Sequence, residues 1–345
     1  MLRPVSAPRI DPPERLRARR EASRRATRRR RYQVAGALAA LLVIVAGVAL
    51  ANLIGGLDGS SPKATLSTAS HAHAISGASD VAHNTAAQTR PPTVHSTAAS
   101  GPGTDRPGTE AVPILMYHVI AAPPADAPFP GLYVRPSEFA AQMEALKRAG
   151  WHAVTLDQVQ AYWQHGAPLG QGKPIVLTFD NGYQSQYTQA LGVLERLGWV
   201  ADENLQLTGL PPSQGGLSQT QIKGLVAAGW ELDTQGFSHA DLIALDAEQL
   251  HYQVAVARST VQQRYGVPVN WFCYPSGHYD ATVIAAVKDA GYTGSTTVVP
   301  GWAQPGEDRY RLHRLRVLGE TSPQALLAEI AGIRDDPPAP ASYSA

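Results

Sequence analysis

The stretch PIVLTFDNGY, residues 174–183, decides how the rest of the chain is read. An apolar run through Ile175, Val176 and Leu177 leads by way of Thr178 and Phe179 into Asp180, Asn181, Gly182 and Tyr183. Short apolar runs bounded by turn residues are the pattern of a buried strand. A carboxylate beside a carboxamide at the end of such a strand calls for an explanation. One is local: Asp180 caps a following helix, and Asn181-Gly182 makes a turn. The other is that the strand delivers Asp180 to a functional surface.

The flanking sequence favours the second explanation. PILMYHV (113–119) reads as a strand and SEFAAQMEALKRAG (137–150) as an amphipathic helix closed by Gly150. HAVTL, LDQVQAYWQHG, PIVLTFD and QYTQALGVLERLG repeat the alternation. WELDTQ (230–235), a helix around 247–265, NWFCYP (270–275), TVIAAVKDAG (282–291), YTGSTTV and RLHRLRVL continue it. Strands alternating with helices predict an α/β fold, a distorted (β/α) barrel of about seven parallel strands. Chemistry in such barrels collects where strands end. Asp180, His118, the loop Gly236–His239 and the loop Ser276–Asp280 all fall at strand ends. His313, on the last strand, alternates onto the face of Leu315 and Val317 and reads as a packed histidine. A carboxylate, imidazoles and an amide at one barrel face form the layout expected for metal-assisted hydrolysis.

Charge divides the chain. Residues 1–31 hold 12 of the 29 Lys and Arg and only three acids, leaving 17 basic against 25 acidic residues beyond them. Between Arg31 and Asp58 no charge occurs, and VAGALAALLVIVAGVALANLIGGL is long enough to span a bilayer, which takes about 20 residues. Residues 32–54 therefore read as a transmembrane signal anchor behind a basic cytoplasmic tail, 1–31, with the remainder extracytoplasmic by the positive-inside bias. A cleaved secretory signal ending at Ala49-Leu50-Ala51, and hence a secreted protein, is the alternative. Orientation accounts for the arginines, so no nucleic-acid partner is inferred. Residues 55–111 are Ser, Thr, Ala, Gly, Pro and His with scarcely a large apolar side chain, the composition of a disordered linker. His71, His73, His83 and His95 lie in it at irregular spacing and read as solvated. The folded domain is expected over 112–334, with a disordered tail at 335–345. Cys273 is the only cysteine, so no intrachain disulfide is possible.

The residues at the strand ends carry a resemblance. VPILMYH, TFDNGY, GWELDTQGFSHADL, FCYPSGHYD and DAGYTGSTT together resemble the polysaccharide deacetylase family, the NodB-homology carbohydrate esterases. The resemblance spans nearly the whole domain. It implies a hydrolase of carbon–nitrogen bonds other than peptide bonds, acting on N-acetyl groups of a cell-wall or capsular glycan. It further implies a divalent metal such as zinc, with Asp180 as catalytic base. The family's ligand positions fall on Asn181, Gln235 and His239, of which only His239 keeps the family's residue type. Asp233, two residues before Gln235 and on the same strand face, is a candidate replacement ligand. His118, Tyr183, Tyr274, Pro275 and His278 are expected to contact the glycan.

Two further departures bear on function. Zinc sites are built from Cys, His and carboxylates, so amides at positions 181 and 235 imply weak or lost metal binding. WVADENLQLTG (199–209) stands where the family has an apolar strand, and Asp202, Glu203 and Asn204 are poorly suited to a barrel wall. The expected function is thus a membrane-anchored, extracytoplasmic deacetylase-like hydrolase. A catalytically silent relative that keeps the groove and binds glycan is the alternative, and hydrolysis of another amide uses the same residues.

Overall fold

The computed structural model describes residues 106–210, 215–333 and 339–344. The anchor, the basic tail and nearly all of the linker lie outside these residues, as does part of the C-terminal tail. Among the described residues no helix is long and apolar enough to cross a membrane.

Eight strands form one sheet: β1 (Ile114–Tyr117), β2 (Trp151–Val154), β3 (Lys173–Asn181), β4 (Asp202–Leu205), β5 (Glu231–Thr234), β6 (Trp271–Cys273), β7 (Gly294–Thr296) and β8 (Leu315–Arg316). All pair in parallel, in the order β7-β6-β5-β4-β3-β1-β8. β2 lies off this path and pairs with the first half of β3, Val154 opposite Val176. β4 joins the second half, Thr178 opposite Asp202. The sheet curls into a distorted barrel, and its two ends meet through an isolated parallel bridge between Thr296 and Leu312.

Local sequence sets the helices. α1 (Pro136–Arg148) starts with Pro at its first turn and Glu138 accepting from the Arg135 N–H, and Gly150, at φ 84°, releases the chain into β2. α2 (Leu156–His165) has Thr155 and Gln158 as a reciprocal capping box and ends at left-handed Gly166. Its Leu156, Val159 and Trp163 pack with Val112, Ile114, Val176 and Trp271 in one buried cluster. These are inward-facing positions of the early strand halves, so α2 stoppers the barrel below the strand ends. On the outer face, Leu115, Tyr117, Ile175, Leu177 and Phe179 pack with Phe139, Met143 and Leu146 of α1.

β4 corrects one expectation. Asp202, Glu203 and Asn204 form the wall itself and are wholly buried. Two of the three turn inward, where they find partners. The Leu156 N–H donates to Asp202 Oδ1 at 2.9 Å, and Asn204 Nδ2 donates to Asp180 Oδ1 at 2.8 Å. A polar strand is tolerated here because the barrel interior is itself polar at this height.

Candidate active site

β3 carries Asp180 to the end of the barrel interior, where the side chain is almost wholly buried. Arg314, just before β8, grips it with both ends of its guanidinium: Nη1 donates to Oδ1 at 2.8 Å and Nη2 to Oδ2 at 3.0 Å. The remaining donors of Arg314 go to Thr297 O, Thr178 Oγ1 and Cys273 Sγ. Burial by itself would raise the Asp180 pKa. The Arg314 charge and hydrogen bonds, with His118 and Asn204, outweigh it and bring Asp180 down to about 2. The carboxylate is therefore ionised at neutral pH.

Two histidines, His118 and His239, interact electrostatically with this carboxylate, and a third, His278, with His239. His118, one residue past β1, brings Nε2 to 3.9 Å from Asp180 Oδ2. Burial lowers its pKa to about 4 against the pull of Asp180, with Arg314, Arg316 and His239 adding to the lowering. His118 is thus a neutral imidazole at pH 7, and its Nδ1 is buried without a partner. Burial also lowers His239, which feels both Asp180 and His278. His278 pairs through Nδ1 with Asp241 Oδ1 at 3.1 Å.

Two buried glutamines hold this arrangement, each on a π turn that interrupts a helix. Gln186, opening the π segment Gln186–Leu191, donates to the backbone oxygens of both His118 (3.0 Å) and Asp180 (2.8 Å). Gln253, in the π segment Tyr252–Val256, accepts from the N–H groups of Phe237 and Ser238 through Oε1 and donates to Ser238 Oγ. It thereby fixes the loop that presents His239. Local widening of this kind is frequent at functional sites. Backbone strain collects there too: Asn181 (φ 80°), the last residue of β3, and His239 (φ 53°) and Ser276 (φ 55°), in the loops after β5 and β6, are left-handed non-glycines.

The remaining candidates divide. Asn181 donates its amide to Gln206 Oε1 at 3.0 Å, and Gln235 leaves Oε1 buried and unpartnered. Asp233 accepts from the Trp271 N–H and groups with Asp202 and Glu231, not with His239. Tyr183 is nearly buried beside Val119 and Tyr133, and burial raises its pKa to about 12. Tyr274 is wholly buried in the outer packing layer and donates its hydroxyl to Tyr310 O, so its place is in the core and not on the rim. Pro275 is buried beside it. His313 pairs with Glu307 at 2.6 Å, a packed histidine as expected.

The donor set at the strand ends is a poor match for a divalent metal. Asp180 has both oxygens committed to Arg314, and the one orphaned acceptor at the family's ligand positions, Gln235 Oε1, is a neutral amide. One imidazole with two carboxamides does not fit a tightly held zinc ion. Sequence reasoning missed Arg314, Asn204 and both glutamines, whose roles depend on contacts across the barrel. Pattern alone does not carry such contacts, although an arginine amid the apolar alternation RLHRLRVL was a signal.

The comparisons with known proteins agree with this geometry. The family model described as polysaccharide deacetylase matches residues 169–295, which hold Asp180, Asn181, Gln235 and His239. The chain is 26% identical over 223 residues, 65% of its length and 77% of the relative's, to "Putative polysaccharide deacetylase YxkH" of Bacillus subtilis (strain 168). A shorter match, 34% identical over 87 residues, covers 25% of this chain and 12% of the poly-beta-1,6-N-acetyl-D-glucosamine N-deacetylase of Escherichia coli (strain K12). Among solved structures, a polysaccharide deacetylase from Bacillus cereus superposes with a TM-score of 0.57 at 27% identity, covering 64% of this chain and 69% of that one. The family model over residues 169–295, the relatives and the solved structure together support membership of the polysaccharide deacetylase family, the NodB-homology carbohydrate esterases.

Proposed function

We propose that the domain is a hydrolase of N-acetyl groups on a cell-wall or capsular glycan, with Asp180 as its base. The observation that carries this reading is the ionised Asp180 carboxylate at the strand ends, beside His118 and within the electrostatic reach of His239. Asp180 would take a proton from the attacking water, and the neutral His118 and His239 would orient that water by accepting or donating through their ring nitrogens. The substrate class rests on the family and on the name of the Escherichia coli relative, an N-deacetylase of poly-N-acetylglucosamine. The uncharged run over 32–54 behind twelve arginines supports a membrane anchor with the domain outside the cytoplasm.

A second reading, glycan binding without turnover, is favoured by the carboxamides at 181 and 235 and by the clamp of Arg314 on Asp180. Acetate release from N-acetylglucosamine oligomers and peptidoglycan fragments, measured beside their affinity for the full-length protein, tests both. Release that is lost in Asp180→Asn supports the hydrolase. Binding with no release supports the silent relative.

A further inference from the structure

We propose a second cation site, buried inside the barrel and separate from the strand-end site, formed by the carboxylates of Asp202, Glu231 and Asp233 and suited to a hard divalent cation such as calcium. These three side chains each bring an oxygen within 4.8 Å of the others. Each is fixed from one side by a backbone donor. The Leu156 N–H donates to Asp202 Oδ1 at 2.9 Å, the Asp157 N–H to Glu231 Oε2 at 3.1 Å, and the Trp271 N–H to Asp233 Oδ1 at 2.8 Å. Leu156 and Asp157 open the ten-residue helix α2, so its positive end faces two of the carboxylates.

The other oxygens of the two aspartates, Asp202 Oδ2 and Asp233 Oδ2, are buried with no protein hydrogen-bond partner, and both residues are wholly buried. Glu231 lies against the Thr155 hydroxyl and the Asp157 carboxyl, a fourth acid at the edge of the cluster. A neutral acceptor stands beside them. Asn204, the register neighbour of Asp233, spends its amide N–H on Asp180 and leaves Oδ1 buried and unpartnered. None of the ion pairs among the described residues involves the three acids. The buried guanidinium of Arg314 is committed to Asp180, Thr178, Cys273 and Thr297.

Three carboxylates at this separation in a buried space require either shared protons or a cation. Backbone N–H donors favour the ionised form, which argues for the cation. Holding three charges together out of water is costly, and a bound cation would offset that cost. An all-oxygen set of carboxylates and an amide suits calcium, magnesium or manganese, and suits zinc poorly. The ion would tie the start of α2 to β4 and β5, making it a structural ion. The inference stands whether or not the strand-end site is catalytic.

The test is calcium titration of the full-length protein, stripped with chelator, by calorimetry and by thermal unfolding, repeated with manganese and magnesium. One saturable calcium site per chain is expected, with a melting temperature that climbs with ion concentration and with both effects intact in His239→Ala. Asp233→Asn should abolish them. Glu231→Gln, at the less buried edge of the cluster, should fold and weaken binding at least about tenfold, since loss of a direct ligand costs no less than loss of an outer-shell partner. No saturable binding of any of the three ions, with unfolding indifferent to them, would overturn the proposal and leave shared protons as the answer. Binding unchanged in Glu231→Gln would overturn it equally, by placing the ion elsewhere.

Discussion

Arg314 holds both carboxylate oxygens of Asp180 in parallel hydrogen bonds of 2.8 and 3.0 Å, and both side chains are buried. A fork-on-fork pair in this setting is strong locally but costly to desolvate, so its halves are not separable. Replacing Arg314 by Met should cost about 3–5 kcal/mol, because it strands a buried charge. Asp180→Asn strands the guanidinium instead, and the double variant should recover much of either loss. Urea unfolding of the four proteins checks this, and strictly additive losses would contradict it.

The pH dependence of stability follows from His118 and Asp180. His118 has a folded pKa lowered to about 4 from 6.5, so its neutral form is favoured by folding. At His118 the folded protein binds fewer protons than the unfolded chain between these values, so the contribution of this residue to stability is lost as pH falls from 6.5 to 4. The buried acids of β4 and β5, whose values are raised, act in the opposite sense. Asp180, lowered to about 2 from 3.8, extends the loss below pH 4. His118→Gln should flatten the upper part of this limb, which is worth up to ~3 kcal/mol. Denaturant midpoints measured from pH 7 to pH 3 supply the comparison.

Gln186 ties the strand ends of β1 and β3 through two carbonyl oxygens while wholly buried. Gln186→Leu leaves those acceptors unsatisfied and should destabilise by about 1–3 kcal/mol. A merely packed side chain would lose stability alone. Here the distance between His118 and Asp180 is also released, so the His118 pKa, followed by NMR, should move towards its ordinary value.

Much of this organisation was legible in the sequence. The alternation of strands and helices predicted the barrel, and the run into Asp180 predicted which strand delivers the carboxylate. LDQVQAYWQHG was read as a helical run, and α2 follows it, with a Thr155–Gln158 capping box at its start and left-handed Gly166 at its end. β4 was not legible, because Asp202, Glu203 and Asn204 contradict the apolar pattern of a wall strand and are rescued only by partners from α2 and β3. Glu203 keeps a wholly buried place on the outer face, where only the Gly182 N–H works against the burial and the Asp180 charge that raise it. Tyr274 was expected from the resemblance to contact the glycan, yet its side chain packs in a buried apolar cluster. The anchor and linker expectations fall outside the described residues.

Rebuilding the family's ligands separates cause from coincidence at the strand ends. Asn181→Asp with Gln235→His supplies a carboxylate and two imidazoles around His239, and zinc content after gel filtration should rise from near zero towards one per chain. Each single change should do much less, since ligands of one ion act together. Asn181 sits at φ 80°, a conformation that aspartate also tolerates, so the backbone need not move. Stoichiometric zinc in the unaltered protein would show that the amides are competent ligands.

The central claim is that Asp180 acts on an N-acetylated glycan, and acetate release by the full-length protein tests it most directly. Chitooligosaccharide and poly-N-acetylglucosamine oligomers should release acetate with the unaltered protein. Asp180→Asn, checked for folding by circular dichroism, should lower that rate by about 10²- to 10⁴-fold, the usual share of general-base catalysis. Equal release by both proteins would contradict the account.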